Sequence, residues 1–288
     1  MVSFQCPDLS FRARHFPKEF DDVQDLRLNI SQEHSYIPNS FIHKKDKLMN
    51  TAIVIGVGPE EGLGGALCKR FSSLGKHVVV AGRTQSKLDA VVSAVEAEGG
   101  VATPYVADST DESQIISLFD AASEIGSVDI AIYNVGNNFP GRIIDMDADY
   151  FEKAWKACCY GGFLFGREAI KCMQANKTGT IIFTGASASL RGRAGFSAFN
   201  ASKAALRTLA QAMAKEVGQD GIHVGHVVID GLINGEKANV NFREYADKLG
   251  DEGMISIEGI VDAYEFLHKQ PKTAWTFEVD LRTAIENW

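Results

Sequence analysis

The sequence predicts a doubly wound α/β domain, in which one parallel sheet is covered by helices on both faces. From residue 51 onward, short apolar runs alternate with stretches of helical periodicity. The apolar runs lack the polar alternation of a sheet that has one face in water, so they are typical of strands buried on both faces. A glycine-rich turn after the first run is the third observation that favours this class.

The predicted elements follow one another in a regular order. The apolar runs predict strands at residues 52–57, 77–81, 102–106, 130–133, 179–184 and 223–229. The intervening periodicity predicts helices at residues 64–74, 86–97, 114–124, 150–174 and 198–217. Residues 275–281 alternate in polarity like a final strand. Because no repeat or linker interrupts this order, we expect a single domain over residues 49–288.

The first 48 residues differ from the rest of the chain. They are mixed in charge, have no sustained period and contain Pro7, Pro17 and Pro38. Basic residues at positions 12, 14 and 18 are compatible with a transit peptide, but four acidic residues nearby oppose that reading. We therefore expect residues 1–48 to form a loosely ordered N-terminal extension.

Composition and charge exclude several classes of partner. The 288 residues can bury a sizeable core without disulfides, and a net charge of -8 disfavours contact with phosphate backbones. Nucleic acid is therefore not expected as a partner. No apolar run approaches the roughly 20 residues of a membrane span, and the N-terminus lacks the pattern of a secretory signal. We expect a protein without a membrane partner that is intracellular, most simply cytoplasmic.

The five cysteines do not form a metal or redox motif. They stand at positions 6, 68, 158, 159 and 172, and none has the C-x-x-C spacing of a zinc or thioredoxin-like site. We expect reduced thiols and no metal site.

The glycine-rich turn predicts a dinucleotide site. Its glycines fit the spacing G-x-x-x-G-x-G at Gly58, Gly62 and Gly64, with Leu63 opening the next helix. The commoner G-x-G-x-x-G pattern fails, because its third glycine would fall on Glu61. Glycines permit a tight turn and close backbone approach, and the N–H groups at the helix start can bind a pyrophosphate. The alternative is a turn that serves only packing.

The end of the second strand favours NADP(H) over NAD(H). A carboxylate there binds the ribose 2′-hydroxyl of NAD, whereas an arginine accommodates the 2′-phosphate of NADP. The sequence has Arg83 and no carboxylate at this point. Arg83 could instead be a solvated surface residue. Glu60 and Glu61 would repel a phosphate unless they face Arg83 or solvent.

Several motifs in register resemble the short-chain dehydrogenase/reductase family. They are the glycine turn, Asp108 after the third strand, the stretch Tyr-Asn-Val-Gly at 133–136, and Phe-Asn-Ala-Ser-Lys at 199–203. The resemblance spans about residues 50–282 and implies a Rossmann-type domain of about seven parallel strands with a nicotinamide cofactor and hydride transfer to or from a carbonyl or alcohol. It implies that Asp108 lies by the adenine, that Asn134 and Gly136 line the cofactor site, and that Lys203 holds the nicotinamide ribose.

The resemblance fails at the residues that carry the family's proton chemistry. The family uses Asn, Ser, Tyr and Lys, with the Tyr four residues before the Lys and the Ser thirteen before the Tyr. Counting back from Lys203 gives Phe199 and Ala186, and alignment of the preceding helix gives Cys158 at the Asn position. Only Lys203 of the four is retained. After the sixth strand, the family's Pro-Gly appears as Asp-Gly, which keeps Gly231.

Two functions remain open at this point. The first is an NADP(H)-dependent oxidoreductase that acts on a small-molecule carbonyl or alcohol by a proton route without tyrosine, through a substrate group or water. The second is a catalytically inactive NADP(H)-binding sensor or partner protein. Tyr133, His226 and Ser189 are ionisable or hydroxyl groups nearby in topology, but buried structural roles fit Tyr133 and His226 better.

Two further expectations concern the C-terminal part. Residues 232–255 are polar and have the character of a mobile lid over the substrate, whose identity they do not reveal. The aromatic Trp288 is compatible with packing across the interface of a homo-oligomer.

Overall fold

The structure of the protein is a computed structural model, and it describes residues 49–136, 138 and 140–286. The N-terminal extension expected at residues 1–48 and Trp288, which was expected at an interface between subunits, lie outside the described residues.

The described chain contains a seven-stranded sheet with the order β3-β2-β1-β4-β5-β6-β9. Every neighbouring pair in this sheet is parallel, which confirms the predicted doubly wound fold class. A separate pair of two-residue strands, β7 and β8, lies in the segment predicted as a lid. The strand bounds are β1 (Thr51–Ile55), β2 (His77–Gly82), β3 (Val101–Val106), β4 (Val128–Tyr133), β5 (Gly179–Thr184), β6 (Ile222–Asp230), β7 (Leu232–Ile233), β8 (Met254–Ile255) and β9 (Glu278–Arg282).

Helices cover both faces of this sheet. Helices α1, α2 and α9 pack on one face, and α3, α5 and α6 pack on the other, as the membership of the two apolar clusters shows. The helix bounds are α1 (Leu63–Ser73), α2 (Gln85–Ala97), α3 (Glu112–Ile125), α4 (Ala148–Trp155), α5 (Gly161–Gln174), α6 (Ser197–Val217), α7 (Glu236–Asn241), α8 (Arg243–Gly253) and α9 (Ile257–Lys269).

The central strands carry the core. All five residues of β1 and all nine of β6 are buried. Burial of each Val, Leu, Ile or Phe side chain stabilises the fold by about 1.5–3 kcal/mol relative to its exposure. These two strands therefore contribute much of the stability of the sheet. The edge strands β3 and β9 are only partly buried, because each has a neighbour on one side only.

The prediction of one continuous helix over residues 150–174 is wrong. Helix α4 begins at Ala148, and a π-helical turn at residues 156–160 separates it from α5. The hydroxyl of Tyr133 donates a hydrogen bond to the carbonyl oxygen of Ala157 within this turn. A Cβ at Gly161 would lie 2.4 Å from the same hydroxyl. The buried tyrosine thus occupies the space beside the widened turn, a local feature that apolar periodicity does not encode.

The segment predicted as a lid, residues 232–255, contains more regular structure than expected. It includes the two helices α7 and α8 and the small sheet of β7 and β8. Elsewhere the predicted bounds differ from the observed ones by a few residues at helix and strand ends. Among the described residues, no helix is both long and apolar enough to cross a membrane.

Candidate functional site

The glycine-rich turn joins β1 to α1 at the carboxyl edge of the sheet. Gly56 has a φ of 90°, and a Cβ there would lie 2.6 Å from the main chain of Asn134. A Cβ at Gly65 would lie 2.1 Å from the carbonyl oxygen of Glu60, so the turn also needs glycine for packing. A Cβ at Gly58 would meet nothing within 4 Å. Open space therefore adjoins the turn at Gly58.

The start of α1 is suited to an anion. The helix is preceded by Gly62, which offers no side-chain cap, and its first turn, from Leu63 and Gly64, contains no acidic residue. The N–H groups of a first helical turn have no partner within the helix and carry a partial positive charge. Together with the open space at Gly58, this arrangement fits the phosphates of a dinucleotide.

The ends of β2 and β3 lie beside this turn. The N–H of Ala107 donates to the carbonyl oxygen of Gly82 at 2.9 Å, and a Cβ at Gly82 would lie 2.7 Å from the carbonyl oxygen of Val57. Arg83 follows directly and is exposed, and within the described part of the chain it forms no ion pair. Its guanidinium is thus available to a ligand.

The two acidic residues of the turn do not compete for Arg83. Glu60 forms an ion pair with Lys69 at 2.8 Å and is 40% exposed, and Glu61 is exposed. Of the alternatives that the sequence left open, Glu60 faces solvent and a lysine of α1. A phosphate at the turn therefore meets less repulsion than the sequence suggested.

Asp108 stands at the end of β3, where its carboxylate is held by local bonds. Its Oδ1 accepts hydrogen bonds from the N–H of Thr110 at 2.9 Å and from the hydroxyl of Thr110 at 2.8 Å. The N–H of Asp108 donates to Gln114 at 2.8 Å. One carboxylate oxygen is thereby fixed by the loop, which orients the other.

Asn134 and Gly136 connect the turn to the lysine on α6. The amide nitrogen Nδ2 of Asn134 donates to the carbonyl oxygen of Gly56 at 3.4 Å. A Cβ at Gly136 would lie 3.1 Å from Nζ of Lys203. The segment after β4 therefore contacts both the glycine turn and Lys203.

Lys203 is buried, with 3% of its surface exposed. Its Nζ donates to the carbonyl oxygens of Thr184 at 2.8 Å and of Val135 at 3.1 Å. No carboxylate of the described residues forms an ion pair with it. Burial lowers the pKa of Lys203 below its ordinary value, because the charged form loses its hydration.

The other three positions that the sequence analysis assigned to the family's tetrad carry no hydroxyl. Phe199 lies one turn before Lys203 on α6, with its ring centre 5.8 Å from Nζ. Ala186 follows β5, and its N–H donates to the hydroxyl of Ser189 at 3.2 Å. Cys158 is fully buried in the π-helical turn.

Tyr133 and His226 are fully buried structural groups. Burial raises the pKa of Tyr133, whose hydroxyl bonds to Ala157. Burial lowers the pKa of His226 to about 4, against the opposing effect of Glu278. Near pH 7, Tyr133 is protonated and His226 is neutral. His226 therefore has no imidazolium proton to donate.

A polar cluster around His226 and Ser189 contains two residues that the sequence did not single out, Arg207 and Glu278. His226 Nδ1 donates to the carboxylate of Glu278 at 2.9 Å, and Arg207 binds the same carboxylate through Nε at 2.5 Å and Nη2 at 2.8 Å. Ser189 lies 3.5 Å from His226 Nε2. These residues lie on four different elements, so no local spacing in the sequence could have joined them.

A family model decides the class of the protein. The model that describes short-chain dehydrogenases matches residues 50–242, which is more than half of the chain. The chain belongs to the short-chain dehydrogenase family. This confirms the resemblance found in the sequence and places the protein among the NAD(P)-dependent oxidoreductases, which act on small molecules.

Relatives of known name support the same family. A 3-oxoacyl-acyl-carrier-protein reductase FabG from Rickettsia conorii is 30% identical over 216 residues, 73% of this chain and 86% of that protein. The human dehydrogenase/reductase SDR family member 4 is 26% identical over 75% of this chain and 77% of that protein. A solved short-chain dehydrogenase from Rhodopseudomonas palustris is 34% identical, with a TM-score of 0.69 over 81% of this chain and 98% of that chain.

The segment after β6 approaches the glycine turn in this short-chain dehydrogenase. A Cβ at Gly231 would lie 3.0 Å from the side chain of Ile255 in β8. A Cβ at Gly235 would lie 3.2 Å from the carbonyl oxygen of Glu61. The start of the segment predicted as a lid therefore adjoins the region that is suited to phosphates.

No candidate metal centre accompanies this arrangement. Within the described residues, no group of three or more His, Cys, Asp and Glu side chains could hold a metal ion. The candidate ligand-binding features of the described residues are the glycine turn, Arg83, Asp108, and the contacts around Asn134 and Lys203.

Proposed function

We propose that the protein is an NADP(H)-dependent oxidoreductase that reduces a carbonyl, or oxidises the corresponding alcohol, by a proton route without tyrosine. The observation that carries the proposal is that Lys203 is buried and has Phe199 as its aromatic neighbour. The glycine turn, Arg83 and Asp108, here called the cofactor frame, are present in the same chain. When bound, the nicotinamide supplies or accepts the hydride.

The cofactor frame takes its preference from Arg83. The turn at Gly58, Gly62, Leu63 and Gly64 would receive the pyrophosphate, and Arg83 would bind the 2′-phosphate. Asp108 would accept from the adenine amino group, and Gly231 would border the nicotinamide end of the site. Because Glu60 is paired with Lys69, it would add less repulsion to a 2′-phosphate bound at Arg83, which supports NADP(H) over NAD(H).

Lys203 is the proposed source of the proton. A neutral amine has two N–H groups, which match the two carbonyl acceptors of Thr184 and Val135. The ammonium form has a third proton that neither carbonyl binds. Transfer of that proton to a substrate oxygen, directly or through water, breaks one N–H bond and forms one O–H bond. The amine keeps both hydrogen bonds, and solvent returns the proton.

The burial of Lys203 supports this role. An ordinary lysine holds its proton too tightly to be an efficient acid near neutral pH. Desolvation lowers the pKa of Lys203 toward the working range. The carbonyl oxygens of Thr184 and Val135 orient the amine in both protonation states.

A second candidate function is that of a non-catalytic NADP(H)-binding sensor. Phe199, Ala186 and Cys158 favour it, since none of them can replace the hydroxyl groups of the family's proton chemistry. The two functions share the cofactor site and differ in turnover.

The test is a turnover screen beside a binding titration. NADPH oxidation is followed with aldehydes, ketones and quinones for the wild type, Lys203→Arg and Lys203→Ala. We expect wild-type turnover and a loss of about 10²- to 10⁴-fold in Lys203→Arg, because a guanidinium keeps its charge but does not release a proton.

The titration makes that loss interpretable. NADPH binding must persist in the lysine variants for the loss to report on proton transfer, because Lys203 would also face the cofactor. Undiminished turnover in Lys203→Arg would remove Lys203 as the proton source. Firm NADPH binding without wild-type turnover on any of these substrates would support the sensor function instead.

A further inference from the structure

A buried chain of hydrogen bonds links helix α9 to the glycine turn. The hydroxyl of Tyr264 lies 2.6 Å from Oγ1 of Thr184, the last residue of β5. Oγ1 of Thr184 donates to Oδ1 of Asn134 at 3.0 Å, and Nδ2 of Asn134 donates to the carbonyl oxygen of Gly56 at 3.4 Å. Tyr264 is fully buried, and Thr184 is 8% exposed.

The direction of this chain is fixed by its last acceptor. The carbonyl oxygen of Gly56 can only accept, so Asn134 turns its amide nitrogen to Gly56 and its amide oxygen to Thr184. The Thr184 hydroxyl then donates its only proton in the hydrogen bond to Asn134. Tyr264 must therefore be the donor to Thr184, and each member of the chain has one orientation.

The chain ends on the parts of the molecule proposed to bind cofactor. A Cβ at Gly64 would lie 3.4 Å from Nδ2 of Asn134, so this amide packs against the start of α1 as well as against Gly56. The carbonyl oxygen of Thr184 accepts from Nζ of Lys203 at 2.8 Å. Thr184 thus touches the glycine-turn side through its hydroxyl and the lysine side through its carbonyl.

We propose that Thr184 and Tyr264 are positioning residues of the nucleotide site, acting through Asn134 on the glycine turn. Neither is proposed to touch the cofactor. Tyr264 lies beyond residues 50–242, which match the family model. The hydrogen bond from Tyr264 to Thr184 therefore comes from the C-terminal part of the polypeptide. The inference rests on the proposed cofactor use for its effect on affinity, but not for its effect on the turn itself.

The structure offers a matched control on the same two elements. Thr180, also in β5, lies 3.1 Å through Oγ1 from Nδ1 of His268, also in α9. Thr180 is buried like Thr184 but lies at the opposite end of the strand. Thr180→Val therefore removes the same chemical group from the same layer, far from the glycine turn.

The first measurement is NADPH affinity, by fluorescence titration, beside the melting temperature. We expect Thr184→Val to raise the Kd about three- to tenfold, in line with one lost hydrogen bond. Thr184→Ser restores the hydroxyl and should return the Kd to within about twofold of wild type. Thr180→Val should lower the melting temperature without raising the Kd.

Tyr264→Phe tests whether the phenol of Tyr264 affects the glycine turn through Thr184. We expect a smaller rise in the Kd than in Thr184→Val, since Thr184 can still donate to Asn134. The double variant Tyr264→Phe with Thr184→Val should bind NADPH no more weakly than Thr184→Val alone, because the phenol acts through Thr184.

The second measurement needs no cofactor. Hydrogen–deuterium exchange of the free protein should show faster exchange over residues 56–65 in Thr184→Val and wild-type exchange there in Thr180→Val and Thr184→Ser. Equal exchange over 56–65 in Thr184→Val and Thr180→Val would overturn the proposal. So would a Thr184→Ser variant as weak in NADPH binding as Thr184→Val.

The two measurements also separate this inference from the proposed function. A wild-type protein that binds neither NADPH nor NADH would contradict the proposed function. The exchange comparison would still decide whether Thr184 and Tyr264 position the turn.

Discussion

Nζ of Lys203 lies 5.8 Å from the ring centre of Phe199, one helical turn away on α6. The ring face favours a cation by about 0.5–2 kcal/mol, but it offers no proton. The lysine of this short-chain dehydrogenase therefore has an aromatic neighbour that stabilises its charge and leaves the amine as the titratable group at that point.

Restoring the family's hydroxyl groups tests this relationship. If Lys203 supplies the proton, the combined change Phe199→Tyr with Ala186→Ser should alter the rate of NADPH-dependent carbonyl reduction by less than about tenfold. A missing general acid costs about 10² to 10⁴ in rate, so a silent wild type that gains activity of that size would identify a relic instead. Phe199→Leu is the control, because it removes the ring without adding a hydroxyl.

Gly58 and Gly65 allow the proposed cofactor site to be tested separately from the packing of the glycine turn. At Gly58 an added methyl group meets nothing within 4 Å, and the residue is not among the glycines with positive φ. Gly58→Ala should thus keep the melting temperature and weaken NADPH binding by about tenfold or more, if the phosphates occupy that space. Gly65→Ala should unfold at a lower temperature, because its methyl group would lie 2.1 Å from the carbonyl oxygen of Glu60. Unchanged NADPH affinity in Gly58→Ala would contradict the site.

Arg83 should determine the choice between the two cofactors. Arg83→Gln is expected to weaken NADPH binding by about 1–3 kcal/mol, the value of a charge-assisted hydrogen bond, and to leave NADH binding unchanged. Lys215→Gln, an exposed charge change near the far end of α6, is the control for net charge. Parallel fluorescence titrations measure both affinities. Equal binding of NADPH and NADH by the wild type would show that Arg83 does not bind a 2′-phosphate.

His226 should make stability depend on pH. The ordinary pKa of 6.5 applies in the unfolded chain, and burial lowers the pKa to about 4 in the fold. The unfolded chain therefore binds more protons between these values, and the free energy of unfolding falls as pH decreases. From pH 7 to pH 5 this contribution falls by about 2 kcal/mol.

Denaturant unfolding of wild type and His226→Gln measures that contribution. The groups that face His226 are Glu278, Arg207, Lys203 and Ser189, and they are the same in both proteins. Glu278, whose pKa is lowered chiefly by its hydrogen bond to Arg207, stays ionised over the measured range. The variant should lose less stability than the wild type between pH 7 and pH 5. Identical slopes would contradict the low pKa of His226.

Periodicity predicted the sheet because the strands are buried on both faces. Strands such as β1 and β6 are buried along their whole length, so their apolar runs are continuous and easy to recognise. The π-helical turn at residues 156–160 was not predictable in this way, since the hydrogen bond that Tyr133 donates to it comes from a distant strand. The short strands β7 and β8 were missed because two residues carry no period.

The residues of the candidate site likewise differ in whether local sequence pattern could predict them. Gly58, Arg83, Asp108 and Lys203 each follow a strand or stand on a helix at a recognisable spacing, so the sequence could name them. Tyr264 could not be named, because its partner Thr184 is 80 residues away and is brought to it only by the packing of α9 on the sheet. Buried polar contacts between distant elements are thus the part of the site that only the fold provides.

Transfer of deuterium from NADPH to a carbonyl substrate tests whether the protein is an oxidoreductase that takes its proton from Lys203. Wild-type protein is incubated with a carbonyl substrate that responds in the turnover screen and with NADPH deuterated at the transferred position, and the product is analysed by mass spectrometry. If the protein is the proposed oxidoreductase, the product is an alcohol that carries one deuterium on the former carbonyl carbon, formed at a rate that falls about 10²-fold or more in Lys203→Arg. An unlabelled product, or a label transferred equally fast by Lys203→Arg, would contradict it.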